Sequence, residues 1–351
     1  MVAGCTPGRK VGHMSTPQLG LGGRSLTSAE STGLEREALG GPWGGVFFAQ
    51  GLAAAAPSVA VAVVPYSLFV AAGKGASWAV LVGLALTILI ATTISFQAKR
   101  TVSSGSLGTY TGNGLGGPGF AYAAGFSLLL GYIGFAITGT LGGVLYLDSF
   151  LESLGLGSQA TWFRLLLVIV VVAAATYLPF RGVAIAAKYE LAFEVLAIAS
   201  ILVIIVASYI SYGFHIDTEQ FNPPAHLGSS ATFIAAVTAV GGSYAGFESV
   251  ASLGAEAKNA HQNIARSLLR VVLLIGVLYI VATYPQILHF GDINGDKAVL
   301  PQLADVTGVS WVNYLVSAAV AIAFIVFVTA VTTAAARSLF TLAHEAHCRR
   351  R

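Results

Sequence analysis

The chain reads as an all-α integral membrane protein with about eight transmembrane helices. Three observations lead there. Hydrophobic residues make up 56% of its 351 positions. Charged residues make up only 9%, against about 25% in a typical soluble domain. The apolar residues also gather into eight runs, each near the ~20 residues a helix needs to cross a bilayer.

Residues 1–45 stand apart. They are polar and rich in Gly, Ser and Thr, without the apolar core of a secretory leader. They read as a mostly disordered cytoplasmic tail. Within it, Thr27-Ser28-Ala29-Glu30 has the pattern of a capping box. Residues 46–344 form the transmembrane domain, and 345–351 a basic cytoplasmic end. The eight spans run Val46–Ala72, Ser77–Phe96, Phe120–Leu147, Trp162–Phe180, Ala187–Tyr209, Ala231–Gly254, Ser267–Phe290 and Trp311–Leu339.

Lys and Arg in the short loops orient the bundle, because they concentrate on the cytoplasmic side. With the amino terminus inside, that side receives Lys99, Arg100, Arg181, Lys188, Lys258, Arg266, Arg270, Arg337 and Arg349 to Arg351. The outer side receives Lys74, Arg164 and Lys297, together with Asp148, Glu152, Asp217, Glu219, Asp292, Asp296 and Asp305. An even number of spans then places both termini in the cytoplasm and the protein in the cytoplasmic (plasma) membrane.

Several function classes are excluded. The net charge is +3 and no basic run precedes the last three arginines, so no nucleic-acid partner is expected. Cys5 and Cys348 have neither metal-ligand nor disulfide-framework spacing. His344 and His347 lack further nearby ligands, so no metal is expected. There is no His-Glu-x-x-His, no Gly-x-Ser-x-Gly and no Walker loop, hence no catalytic constellation, no nucleotide site and no expected cofactor.

Two spans are poor helices. The first contains Gln50, Gly51, Pro57, Ser58 and Pro65. Proline in a helix removes a backbone donor and clashes with the preceding turn. The sixth contains Gly241, Gly242, Ser243, Gly246 and Glu248, and is expected to unwind over Gly241–Gly246. In lipid, broken backbone survives only where protein covers it or where it lines a cavity. Breaks five spans apart fall at matching positions of two inverted repeats, and such pairs mark transporter binding sites.

Certain motifs carry a resemblance. Ser243-Tyr244-Ala245-Gly246-Phe247-Glu248-Ser249, followed by Glu256-Ala257-Lys258-Asn259, resembles the sixth-span signature of the amino acid–polyamine–organocation permeases. Ala56-Pro57-Ser58 is similar to that family's first-span break. Gly105-Ser106-Leu107-Gly108-Thr109-Tyr110, Arg181-Gly182-Val183 and Ala335-Ala336-Arg337-Ser338-Leu339 also fit. Two departures stand out. Asn259-Ala260 replaces the usual Asn-Pro, and the family has about twelve spans where this chain has eight.

The resemblance implies a leucine-transporter-type inverted-repeat fold, here incomplete, and secondary transport of an amino acid or related amine by alternating access, with a proton. A sodium-coupled or exchange carrier, and a non-transporting remnant, are the rival expectations; a membrane-embedded enzyme is a weaker one. The missing spans imply that the chain inserts but does not concentrate substrate alone, unless a partner chain supplies them. The partners otherwise expected are a small-molecule substrate and membrane lipid.

The resemblance also implies site residues. The substrate carboxylate would meet backbone amides near Ala56, Pro57 and Ser58, the donors being neighbours of Pro57, which has none. The amino group would meet carbonyls around Ser243, Tyr244 and Ala245, with Gly246 allowing close approach. An acid near a bilayer centre costs about 2.5–3.5 kcal/mol to insert. Glu248 is therefore either a proton-coupling group, as its match to the family glutamate implies, or a hydrogen-bonded acid joining spans. Glu194 lies about 6 Å deeper than Glu190 along the fifth span and is the second proton-coupling candidate. Glu190 lies near Lys188 as an interfacial pair. Thr329, Thr332 and Thr333 either offer hydroxyls to an ion or bond back to their own helix. Tyr132 and Thr138 either line the cavity or pack.

Overall fold

The computed structural model describes residues 48, 51–52, 54–101, 106–158, 160–180, 183–213, 215–221, 230–256 and 260–349. The amino-terminal tail with its capping pattern, Lys258, Asn259, Arg350 and Arg351 lie outside the described residues. So do the side chains of Lys188, Glu190, Asp292, His344, His347 and Cys348.

Ten α-helices follow one another among the described residues: α1 Pro57–Ala72, α2 Ala76–Arg100, α3 Ser106–Leu115, α4 Pro118–Ser153, α5 Thr161–Phe180, α6 Val183–Ser211, α7 Ser230–Ser243, α8 Ala260–Ile287, α9 Val299–Val306 and α10 Asn313–Arg349. Short 3-10 segments lie between them, and no strand occurs among the described residues. Among the described residues, six stretches are long and apolar enough to cross a membrane, and Thr161–Tyr177 is a shorter apolar helix. One of the six, Pro57–Arg100, is divided by the turn at Gly73–Gly75 into α1 and α2. The described residues thus hold several helices of membrane-spanning length and apolarity, and the protein is a multi-pass membrane protein.

The outer surface supports the same solvent assignment. Leu89, Ile90, Ile133, Ile137, Leu166, Ile169 and Val277 are all exposed. Exposed apolar side chains in such number are costly in water and suit hydrocarbon. Inside, small residues let helices close on one another. A Cβ on Gly139 would lie 2.7 Å from the Phe327 ring, and one on Gly143 would lie 3.2 Å from Phe324 Cβ. This small-residue face of α4 seats α10 in the most extensive helix pairing of the bundle.

Pro65 breaks the hydrogen-bond ladder of α1, because it has no N–H to offer the Val61 carbonyl. Gln286 of α8 supplies a donor instead, its Nε2 lying 3.4 Å from Val61 O. The Tyr146 hydroxyl of α4 donates to the next carbonyl, Ala62 O, at 3.0 Å. A proline defect is thus covered from two neighbouring helices.

One end of the bundle collects the charged loops. Lys74 Nζ lies 3.0 Å from Asp217 Oδ2 and also bonds Glu219, tying the α1–α2 turn to the loop after α6. Arg164 lies 3.9 Å from Asp148, and Lys297 lies 3.5 Å from Glu152. At the far end of α2, the Arg100 guanidinium sits 4.0 Å from the centre of the Phe96 ring.

Candidate functional site

The first break is sharp and local. Residues 54–55 are helical, α1 restarts at Pro57, and Ala56 between them has φ 39° and ψ 66°. Proline disfavours the right-handed helical region for the residue before it, and Ala56 leaves that region. It adopts the left-handed one, the only non-glycine among the described residues to do so. That conformation costs an L-residue about 1–2 kcal/mol.

The second break starts later than the glycines suggest. Gly241 and Gly242 remain helical, and α7 runs to Ser243. Tyr244 N bonds Gly241 O at 3.3 Å and Ala245 N bonds Gly242 O at 3.0 Å, which tightens the last turn. The chain then turns through Tyr244–Gly246 and continues as a 3-10 segment, Phe247–Glu256. Gly241 and Gly242 keep the helix because it can hold glycine where nothing crowds it; no atom lies within 4 Å of a Cβ at either. Gly246 is different. Its φ is 109°, and a Cβ there would strike the Ala54 carbonyl and lie 2.9 Å from Ala55 N. The two breaks therefore touch, backbone to backbone, at Gly246, a position that needs glycine for both conformation and space.

Buried carboxylates brace both breaks. Glu248 is 5% exposed. Its Oε2 accepts from Gly246 N at 2.8 Å, and its Oε1 accepts from the Tyr132 hydroxyl at 3.0 Å. It thereby ties α4 to the turn. Glu194 is wholly buried. Its Oε1 accepts from Ser58 N at 2.9 Å and its Oε2 from Ser58 Oγ at 2.8 Å. This carboxylate sits at the amino end of α1, where free amides and the helix dipole favour an anion. Tyr279 donates to Ser243 O at 2.8 Å, and its ring centre lies 4.9 Å from that of Tyr244.

A cavity of about 470 Å³ opens beside the breaks. Ala55, Ala56, Gly242, Ser243 and Ala245 line it from the two breaks, while Phe135, Phe324 and Phe327 add apolar walls. Among the described residues, no charged side chain lines it. It can receive a small molecule whose polar end meets main chain and whose remainder meets aromatic rings.

The expected site residues divide accordingly. Ala56, Ser243 and Ala245 line the cavity. Pro57, Tyr244 and Gly246 are buried next to residues that do. The Ala56 amide is engaged by Leu52 O at 2.8 Å and that of Ser58 by Glu194, so both amides already have acceptors. Thr138 lines the cavity while bonding back to Gly134 O. Thr329, Thr332 and Thr333 all bond back to carbonyls of their own helix, and Thr329 also bonds Ala175 O on α5. Phe135, Phe324, Phe327, Tyr279 and Gln286 were not anticipated from sequence. Gln286 had a signal, being an amide in an apolar run. The phenylalanines had none, since nothing local separates a cavity wall from a lipid-facing ring.

Comparison with known proteins adds two findings. A family model described as amino acid permease matches residues 41–346. The chain is also 25% identical over 224 residues to the low-affinity putrescine importer PlaP of Escherichia coli strain K12, and equally to that of Escherichia coli O157:H7. Each match covers 61% of this chain and 46% of the relative, so the chain spans about half the length of the relatives it matches.

Proposed function

The chain belongs to the amino acid permease family, and from that premise we propose that it carries an amino acid or related amine across the cytoplasmic membrane by alternating access, together with a proton. The observation that carries this reading is the meeting of the two breaks at Ala54 and Gly246 beside a chargeless, aromatic-walled cavity. Interrupted helices that line a central cavity supply oriented main-chain groups to a substrate while the rest of each helix stays rigid. An ammonium group would meet the carbonyl side of the turn at Ser243–Ala245, whereas a carboxylate at the first break would have to displace Glu194 from the Ser58 amide, since Leu52 O holds that of Ala56. The import of putrescine by the relatives adds small diamines to the substrates to be tried.

Glu248 is the proposed coupling group, and Glu194 a second. Each is buried without a cationic partner among the described residues, and each bonds a backbone amide at a break. Protonation would weaken those bonds and free the segment they hold. Both termini are placed in the cytoplasm, with the loops around Asp148 and Asp217 outside, on the distribution of Lys and Arg.

The test is uptake into liposomes holding the purified chain. Labelled amino acids and putrescine are offered under an imposed proton gradient, an imposed sodium gradient, and with unlabelled substrate inside. Accumulation driven by the proton gradient supports the reading. Accumulation with sodium alone, or only in exchange, rejects the proton. No movement of any of them rejects transport by this chain.

A further inference from the structure

The cavity beside the breaks is short of open donors. Its hydroxyls are spent on their own helices: Thr138 Oγ1 donates to Gly134 O at 3.1 Å and Ser243 Oγ to Val240 O at 2.6 Å. The amides of Ala56, Ala60 and Ala245 go to Leu52 O at 2.8 Å, Ala56 O at 3.1 Å and Gly242 O at 3.0 Å. Among the described residues, no Lys, Arg or His lines it. Acceptors are not spent in the same way. A carbonyl that has accepted one bond, as at Gly242 and Ser243, keeps a second lone pair, whereas an amide that has donated has nothing left.

The natural seat for an anion at the first break is also filled. The amino end of a helix attracts negative charge through its open amides and its dipole. At the start of α1, Pro57 has no amide, and that of Ser58 goes to Glu194 Oε1 at 2.9 Å. The same carboxylate takes the Ser58 hydroxyl on Oε2 at 2.8 Å. Both oxygens accept, as those of an ionised acid do. Glu194 and Ser58 are wholly buried and neither lines the cavity, so the cap comes from α6 and not from the ligand side. Val59 brings the next amide and does line the cavity. A second carboxylate meeting that amide would lie beside the like charge of Glu194, which no salt bridge offsets among the described residues. Like charges held close in a poorly solvated interior repel strongly. Glu248 adds a second buried acid at the other break, its oxygens bonded by Gly246 N and the Tyr132 hydroxyl.

We propose that this cavity selects amines that lack a carboxylate over the corresponding α-amino acids, with Glu194 as the resident anion that fills the place of a substrate carboxylate. Glu194 then sets specificity through α1 and does not touch the substrate. The inference deepens the permease reading and rests on it. An ammonium group brings donors to carbonyls, and positive charge to a site flanked by two acids. An α-carboxylate brings acceptors to a site whose donors are spent, and a like charge toward Glu194. Discrimination of this kind works by making the wrong partner costly.

Calorimetric titration of the purified full chain in nanodiscs tests this with two pairs that differ only by the carboxylate: 3-methylbutylammonium against leucine, and putrescine against ornithine. Leucinamide is the fifth probe, because it keeps the bulk of leucine without its negative charge. Each amine is expected to bind more tightly than its amino acid by about tenfold or more, the scale of one hydrogen bond to a charged group, with leucinamide close to the amine. Glu194→Gln keeps the shape of the side chain and removes its charge. It should narrow the leucine gap by about fivefold or more, through tighter leucine binding and not through weaker amine binding. A merely structural role would weaken both. Melting checks the fold of the variant, and leucinamide decides the charge argument on the parent chain if the variant fails to fold. Equal binding within both pairs, leucinamide as weak as leucine, or the parent's gap in a folded Gln variant would each overturn the inference. Tight binding of leucine or ornithine would do so while leaving the permease reading standing. No binding of any probe would reject that reading and this inference with it.

Discussion

Glu194 holds Ser58 by both of its donors, the amide at 2.9 Å and the hydroxyl at 2.8 Å, although 136 positions separate the two in the chain. A carboxylate from α6 therefore caps the start of α1. Glu194→Ala would leave a buried amide and hydroxyl without acceptors, at a cost of about 1–3 kcal/mol for each group left open. Glu194→Gln keeps an acceptor for the amide and should cost less. Thermal unfolding of the purified variants in detergent checks the order. If the alanine variant melts with the parent, the cap contributes nothing to stability.

Gly246→Ala should destabilise by roughly 2 kcal/mol or more, combining about 1–2 kcal/mol for the left-handed backbone with the strain of overpacking. The added methyl would meet the Ala54 carbonyl, which cannot move without shifting the first break. Gly241→Ala is the control: its surroundings are open and its backbone helical. There the substitution should be neutral, or stabilising by about 0.5–1 kcal/mol. Equal melting of the two variants would dissolve the claim that Gly246 is special.

Glu248→Gln should flatten the pH dependence of uptake. The amide preserves shape and an acceptor for Gly246 N but cannot titrate. Tyr132→Phe removes the hydroxyl at Oε1 while leaving the acid in place, so it should displace the profile and keep its steepness. Uptake is measured in liposomes across a series of external pH values. A Gln variant with the parent's profile takes the coupling role away from Glu248.

Single cysteines replacing Leu156, Ile216 and Asp296, in a background without Cys5 and Cys348, should react with a membrane-impermeant thiol reagent in intact cells. Leu156 and Ile216 are well exposed in the described loops, and Asp296 lines a cavity at the charged end of the bundle. Reaction only after lysis, at all three, would invert the orientation.

Much of this protein follows from the order of its residues. The solvent was legible because hydropathy is a local sum: a run of apolar residues long enough to span declares itself without its neighbours. The two breaks were legible because proline and glycine act on their own backbone. Pro57 disfavours the helical conformation at Ala56, and Gly246 permits a φ that other residues resist. Where the second helix ends was not legible. Gly241 and Gly242 allow a break without requiring one, and the turn falls at Tyr244–Gly246, where Gly246 reaches the backbone of Ala54 and Glu248 secures its amide. Nor could sequence assign the bonding partners of Glu248 and Glu194, two acids in greasy runs. Only packing gave one to Tyr132 and Gly246 and the other to Ser58. Backbone conformation is set within a few residues, whereas the partner of a buried charge is set by which helices lie together, and that is a property of the whole bundle.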